Sequence, residues 1–151
     1  MIDFENPPSP DTIEQVAAIA RTYVPDFFTP NFPDDLRTDM PFHRALCLRR
    51  DGALVSCLIY TCLDGSPHVL LMVTRRGDAG RGYGKELMRV FVDHVSNMGF
   101  RSVELFAWSP ETRPACAATV GFYRGAGFKV TGEYNDLWGP GTKVLKLRLE
   151  W

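Results

Sequence analysis

The stretch Val69-Leu70-Leu71-Met72-Val73-Thr74-Arg75-Arg76-Gly77-Asp78-Ala79-Gly80-Arg81-Gly82-Tyr83-Gly84-Lys85 runs from an apolar strand through a glycine-rich turn into a helix. Val69 to Val73 is the unbroken apolar run of a buried strand. Gly77, Gly80, Gly82 and Gly84 put four glycines within eight residues, which lets a backbone approach a ligand closely. Successive N–H groups at a helix start can point at one anion. Arg75, Arg76, Arg81 and Lys85 add positive charge around the same turn. A phosphate or diphosphate is the natural occupant.

The rest of the chain frames that turn. Leu87, Phe91, Val95 and Met98 form one helical stripe, widened by Met88 and Val92 and closed by Gly99. Ser102–Trp108 is a strand, so His68–Thr74 and Ser102–Trp108 make a βαβ unit and should lie parallel. Upstream, Arg44–Leu48 and Ala53–Cys62 read as strands joined through Asp51-Gly52, a hairpin signal. A second turn, Asp64-Gly65-Ser66-Pro67, leads into His68–Thr74, which completes an antiparallel meander. Downstream, a short helix at about 115–125 precedes strands near Phe128–Glu133 and Lys143–Leu149. At the other end, Ser9 can cap a helix begun by Pro10 and carrying Ile13, Val16, Ala17 and Ala20. That helix should fade at Val24-Pro25. Residues 24–43 hold four prolines, four phenylalanines and four aspartates. They read as an irregular stretch with one helical turn, packed on the domain either as a pocket wall or as a cover over core. The fold class is α/β (α+β), a mixed sheet with helices on both faces.

With 151 residues the chain fits one domain, residues 1–151. Hydrophobic residues at 45% and charged residues at 23% exclude general disorder. A formal charge of −1 gives no general field for nucleic acid or an anionic membrane, so neither is an expected partner. The longest nearly apolar stretch, Ala53–Leu63, is too short to span a bilayer. The opening MIDFENPPSP lacks the basic start and apolar core of a signal peptide, so a cytoplasmic location is expected. Cys47, Cys57, Cys62 and Cys116 show no metal-binding spacing and read as buried free thiols, with no metal expected.

Two familiar phosphate motifs fail on this turn. A Walker loop needs Gly at position 79 and Ser or Thr after Lys85, where the chain has Ala79 and Glu86. In a dinucleotide fingerprint begun at Gly82 the last glycine position falls on Leu87, and Gly80, Gly82 and Gly84 are spaced differently. The turn instead resembles the core motif of the GNAT superfamily of acyl-CoA-dependent N-acyltransferases, Arg/Gln-x-x-Gly-x-Gly/Ala between a strand and a helix. The matching residues are Ala79-Gly80-Arg81-Gly82-Tyr83-Gly84. Gly82 and Gly84 take the motif glycines, and Ala79 stands where Arg or Gln is usual. Tyr123-Arg124-Gly125-Ala126-Gly127-Phe128 fits a second family pattern, in which Cys116 takes the place of an Asn. The resemblance covers about residues 44–149.

The resemblance implies a splayed parallel strand pair with the diphosphate of acetyl-CoA, a cosubstrate, on Ala79, Gly80, Arg81, Gly82, Tyr83, Gly84 and Lys85. The pantetheine arm would bond the backbone of Met72, Val73 and Thr74 beside a bulge and pass Cys116. The reaction implied is direct acetyl transfer to a primary amine of a small molecule or peptide. Tyr123 would protonate the leaving thiolate, and a backbone N–H near Val73 would stabilise the oxyanion. Glu104 is the preferred base, with Glu133 and His68 as further candidates. Asp34, Asp35 and Asp39 could attract the amine, and Trp138 could wall its pocket. The resemblance also allows a homodimer. Two other functions stay open at this point: a non-catalytic acyl-CoA-binding regulatory module, and a nucleotide-binding protein.

Overall fold

A computed structural model describes all 151 residues. Seven strands form one sheet in the order β1-β2-β3-β4-β5-β7-β6. They are β1 (Ile2–Glu5), β2 (Arg44–Arg50), β3 (Ala53–Leu63), β4 (Ser66–Thr74), β5 (Ser102–Trp108), β6 (Lys129–Asn135) and β7 (Lys143–Glu150). The two tight turns of the meander form as their residues dictate. Asp51-Gly52 and Asp64-Gly65 all take positive φ, the geometry that matches the twist of a hairpin. β4 and β5 are parallel and every other neighbouring pair is antiparallel.

Four helices cover the sheet: α1 (Pro10–Arg21), α2 (Phe32–Asp39), α3 (Tyr83–Asn97) and α4 (Ala117–Gly125). Ser9 caps α1, accepting a hydrogen bond from the Thr12 amide at 3.1 Å. Each face of the sheet has its own core. Leu87, Phe91 and Val95 of α3 and Val120 and Tyr123 of α4 pack on Leu58, Tyr60 and Val69. Val16 and Ala20 of α1 and Leu36 of α2 pack on Cys57, Ile59, Leu71 and Val73. Strand alternation assigns the side chains to these two layers.

The structure departs from the sequence reading in several places, among them the ends of β2 at Arg50 and of α1 at Arg21 and the start of β4 at Ser66. Ile2–Glu5 forms a seventh strand, paired through Ile2–Leu48 to Glu5–Ala45, because the backbone edge of β2 is free to receive it. Within residues 24–43 there is a two-turn helix, α2, followed by a 3-10 turn at Met40–Phe42, rather than one helical turn. Pro33 is tolerated because it falls in the first turn, where no amide needs an intrahelical partner. Cys62 is exposed near the end of β3, whereas Cys47, Cys57 and Cys116 are buried free thiols. The strand expected at 128–133 runs from Lys129 to Asn135.

Candidate active site

The glycine turn leaves its amides unspent. Gly80 and Gly82 sit at φ +79° and +84°, a conformation that side chains rarely adopt. Gly82 is the residue before α3 and offers no side-chain cap. The Asp78 and Ala79 amides donate to Arg75 O and Arg76 O at 2.9 and 3.2 Å, so Ala79 has no free amide to give a ligand. The next amide with an intrachain acceptor is that of Glu86, which donates to Gly82 O at 3.1 Å. Those of Gly80 to Lys85 therefore face outward at the positive end of a 15-residue helix. Gly84 serves packing: a Cβ there would lie 3.3 Å from the Phe122 ring.

The cations around the turn divide their work. Arg75 and Arg81 share Asp78, at 2.7 and 3.5 Å. Arg76 lies over the Tyr23 ring at 4.4 Å and donates from Nε to Thr22 O, fastening the turn to the end of α1. Arg50, on the β2–β3 hairpin, donates to the Tyr83 hydroxyl. It brings a further cation to the helix start from a turn distant in sequence. Lys85 forms no ion pair and remains available to an anion.

β4 parts from β5 soon after the two strands meet. Only His68–Glu104 and Val69–Leu105 are in register. On its other side β4 pairs with β3 up to Thr74, with a register shift between Ile59–Leu71 and Tyr60–Val69. Leu70 is the extra residue of that bulge. Beyond it, Leu71 to Thr74 border a gap instead of a neighbouring strand. Tyr23 Oη donates to Thr74 O at 2.5 Å, so a side chain of the α1–α2 connection already occupies one carbonyl there.

A cavity of about 840 Å³ opens at the gap. Leu70 to Thr74, Phe106 to Trp108, Cys116 and Tyr123 line its strand side, and residues of the 23–43 segment line the other. Tyr123 is 6% exposed, and burial alone raises its phenol pKa. It is therefore held protonated throughout the neutral range. Burial raises the Cys116 thiol too, opposed by Arg113. His43 lines the cavity, and its Nδ1 is buried without a hydrogen-bond partner. Burial lowers the His43 pKa, opposed by Asp39, which keeps the ring neutral near pH 7.

A model of the acetyltransferase (GNAT) family matches residues 13–128. This chain belongs to that family. Among solved structures, a protein assigned to the GNAT family from Desulfovibrio desulfuricans superposes with a TM-score of 0.85 at 18% identity, covering 99% of each chain. An aminoglycoside 6'-N-acetyltransferase complexed with coenzyme A superposes at 0.76 with 14% identity, over 99% of this chain and 96% of that one. At such identities the likeness is one of fold. A Xenopus tropicalis protein named "Probable N-acetyltransferase 14" is 36% identical over 56 residues. That stretch is 37% of this chain and 25% of the relative, so the chain matches only about a quarter of that protein's length.

Placed in the GNAT fold, the sequence candidates separate. Gly80 to Lys85 gather at the start of α3, and Met72, Val73, Thr74, Cys116 and Tyr123 gather at the cavity. Glu104 does not line the cavity: its carboxylate meets Lys146 at 2.9 Å and Arg148 at 3.5 Å. Glu133 and His68 are also outside the lining; Glu133 lies 3.9 Å from Lys143, and His68 packs against Phe106. Asp34 turns away to Arg21 and Arg37, while Asp35 and Asp39 face the cavity. The sequence reading missed His43 and Arg50. Neither carries a local signal: Arg50 reaches the helix start through the pairing of β2 with β3, and His43 is set by the Met40–Phe42 turn that precedes β2.

Proposed function

We propose that this chain is an N-acetyltransferase that moves an acetyl group from acetyl-CoA to a primary amine. The observation that carries the reading is the run of free amides from Gly80 to Lys85 at the foot of a strand parted from its parallel neighbour. Such a pair of features suits a diphosphate joined to a slender polar arm. Bound acetyl-CoA supplies an activated acetyl thioester. Lys85 and the turn amides hold its diphosphate, while the backbone groups of Met72 and the Thr74 N–H, which alternate to the open side of β4, bind the arm; Val73 pairs with Cys57 of β3 and lends only its side chain to the wall. Cys116, at the family's Asn position, offers a small thiol beside that arm.

Three tasks fall to the chain. A backbone N–H of β4 near Val73 stabilises charge on the carbonyl oxygen. The Tyr123 hydroxyl, protonated at working pH, delivers a proton to the departing sulfur. The amine must lose a proton to attack. We assign that proton to His43 in place of Glu104, because His43 is neutral, unpartnered and in the cavity wall, whereas Glu104 is held by two cations.

The test is release of free CoA from acetyl-CoA with a panel of primary amines, beside thermal shifts with acetyl-CoA, ATP and NAD. Amine-dependent release and stabilisation by acetyl-CoA are expected. Tight acetyl-CoA binding with no turnover of any amine would leave a non-catalytic acyl-CoA-binding module. Stabilisation by ATP or NAD alone would overturn the site itself.

A further inference from the structure

Accepting acetyl transfer as the reaction, the cavity still has to select one kind of amine. Its volume, about 840 Å³, has to take both the thioester arm beside Met72 to Thr74 and Cys116 and the acceptor, so the acceptor fills only part of it. Of its 24 lining residues 17 are hydrophobic, and none is Lys or Arg. On the side of the α1–α2 connection, Phe28 and Phe32 stack at 4.5 Å and Tyr23 meets Phe28 edge-on at 6.5 Å. In the same lining, Trp108 and Trp138 meet edge-on at 4.9 Å. The acids of the lining, Asp35 and Asp39, stand one helical turn apart on α2, while Arg113, just outside the lining, lies over the Trp108 ring at 4.9 Å and donates to Pro25 O at 2.6 Å. Asp39 forms no ion pair, and Asp35 accepts only from Asn31 at 2.8 Å.

We infer that the acceptor is a small primary amine on an aromatic or comparably flat apolar body. The ring lies between the α1–α2 aromatics and the Trp108–Trp138 pair, and the ammonium enters along Asp35 and Asp39. A planar ring gains from edge and face contacts that a flexible alkyl chain does not make. A polyhydroxylated, polycationic acceptor would leave hydroxyls unpaired against this lining, which costs affinity. A long peptide would have to thread its chain past the aromatic wall.

The test is isothermal titration of the CoA-saturated protein with 2-phenylethylamine, n-butylamine, kanamycin and an alanine-initiated hexapeptide. Turnover with acetyl-CoA is measured in parallel. Phenylethylamine is expected to bind at least tenfold more tightly than each of the other three. Trp138→Ala is expected to narrow that gap to within about threefold; the residue is 42% exposed in the β6–β7 loop, so the fold survives its loss. Asp39→Asn is expected to weaken phenylethylamine at least fivefold. Equal affinities, a preference for kanamycin or the peptide, or no effect of Trp138→Ala would overturn the inference. The two readings fail separately. Aryl-selective binding with no acetylation of any amine would sink acetyl transfer and keep the ligand class. Turnover that favours butylamine or kanamycin would keep acetyl transfer and sink the ligand class.

Discussion

Tyr123 belongs both to the α3–α4 core and to the cavity wall. Its ring packs edge-on against Phe122 and Phe128 at 5.4 and 5.5 Å, which fixes where the hydroxyl can point. Tyr123→Phe keeps those contacts and removes only the proton donor. Turnover is expected to fall by about 100-fold, in the ordinary range for a lost acid, with the acetyl-CoA dissociation constant within twofold of the parent by calorimetry. An unchanged rate would remove Tyr123 from the chemistry. Gly82 tests the anion site. At φ +84° an alanine is strained by roughly 1–2 kcal/mol, and relief of that strain would swing the turn amides off the ligand. A rise of about tenfold in the dissociation constant for CoA is expected for Gly82→Ala, with α3 still folded by circular dichroism. Gly82 could be picked out from the sequence because a glycine turn is written locally, whereas Tyr123 is legible only through the resemblance of residues 123–128 to a family pattern. His43 could not be picked out either way, since its role depends on an unpartnered nitrogen that only the assembled wall creates.

At the scale of elements, legibility followed the clarity of the hydrophobic period. α3 and the three strands of the meander carry strong patterns, and they formed where those patterns place them. α2 is eight residues with two buried positions, Pro33 and Leu36, too few to write a period. It exists through tertiary contact with α1, including the Arg37–Glu14 pair at 2.8 Å. The acids of the cavity edge were legible as residues, but their sharing of one face was hidden with the helix. α4 carries Gly121 in its middle with no atom within 4 Å of an added Cβ. Gly121→Ala is therefore expected to stabilise the protein by up to about 1 kcal/mol through helix propensity, read as an upward shift in thermal midpoint. The junction of β1 and α1 has its own pH dependence. Burial would raise the pKa of Glu5, but hydrogen bonds from the Ser9 amide, Thr12 and Arg49 outweigh it and lower the value below 4.5. A carboxyl with a depressed folded pKa contributes stability above pH 4.5 and loses it as pH falls through the folded value. Glu5→Gln should thus flatten the stability profile below pH 4.5, measured by urea unfolding between pH 3 and 6; an unaltered acid slope would show that other carboxyls govern it.

Across the whole molecule, the β2-β3-β4 meander and the parallel pairing of β4 with β5 were legible from the hairpin turns and the βαβ spacing, whereas the edge strand β1 and the place of β7 between β5 and β6 were not. The width of the gap between β4 and β5 was not, because it is set by the bulge at Leu70 and by what packs on either face rather than by any residue at the gap. No helix of the protein is long and apolar enough to cross a membrane.

The short junction between β4 and β5 makes the sheet two leaves, four strands on one side and three on the other, sewn by two register pairs. The leaves meet along a fault line that is bridged on one face by the shared core under α3 and α4. A ligand threaded there would act as a seam. Amide exchange in β5 and β7 should then slow together with that in β3 and β4 when CoA is added. At a hundredfold excess over its dissociation constant, CoA should add about 2.7 kcal/mol to the unfolding free energy, so the fault line would convert ligand concentration directly into rigidity.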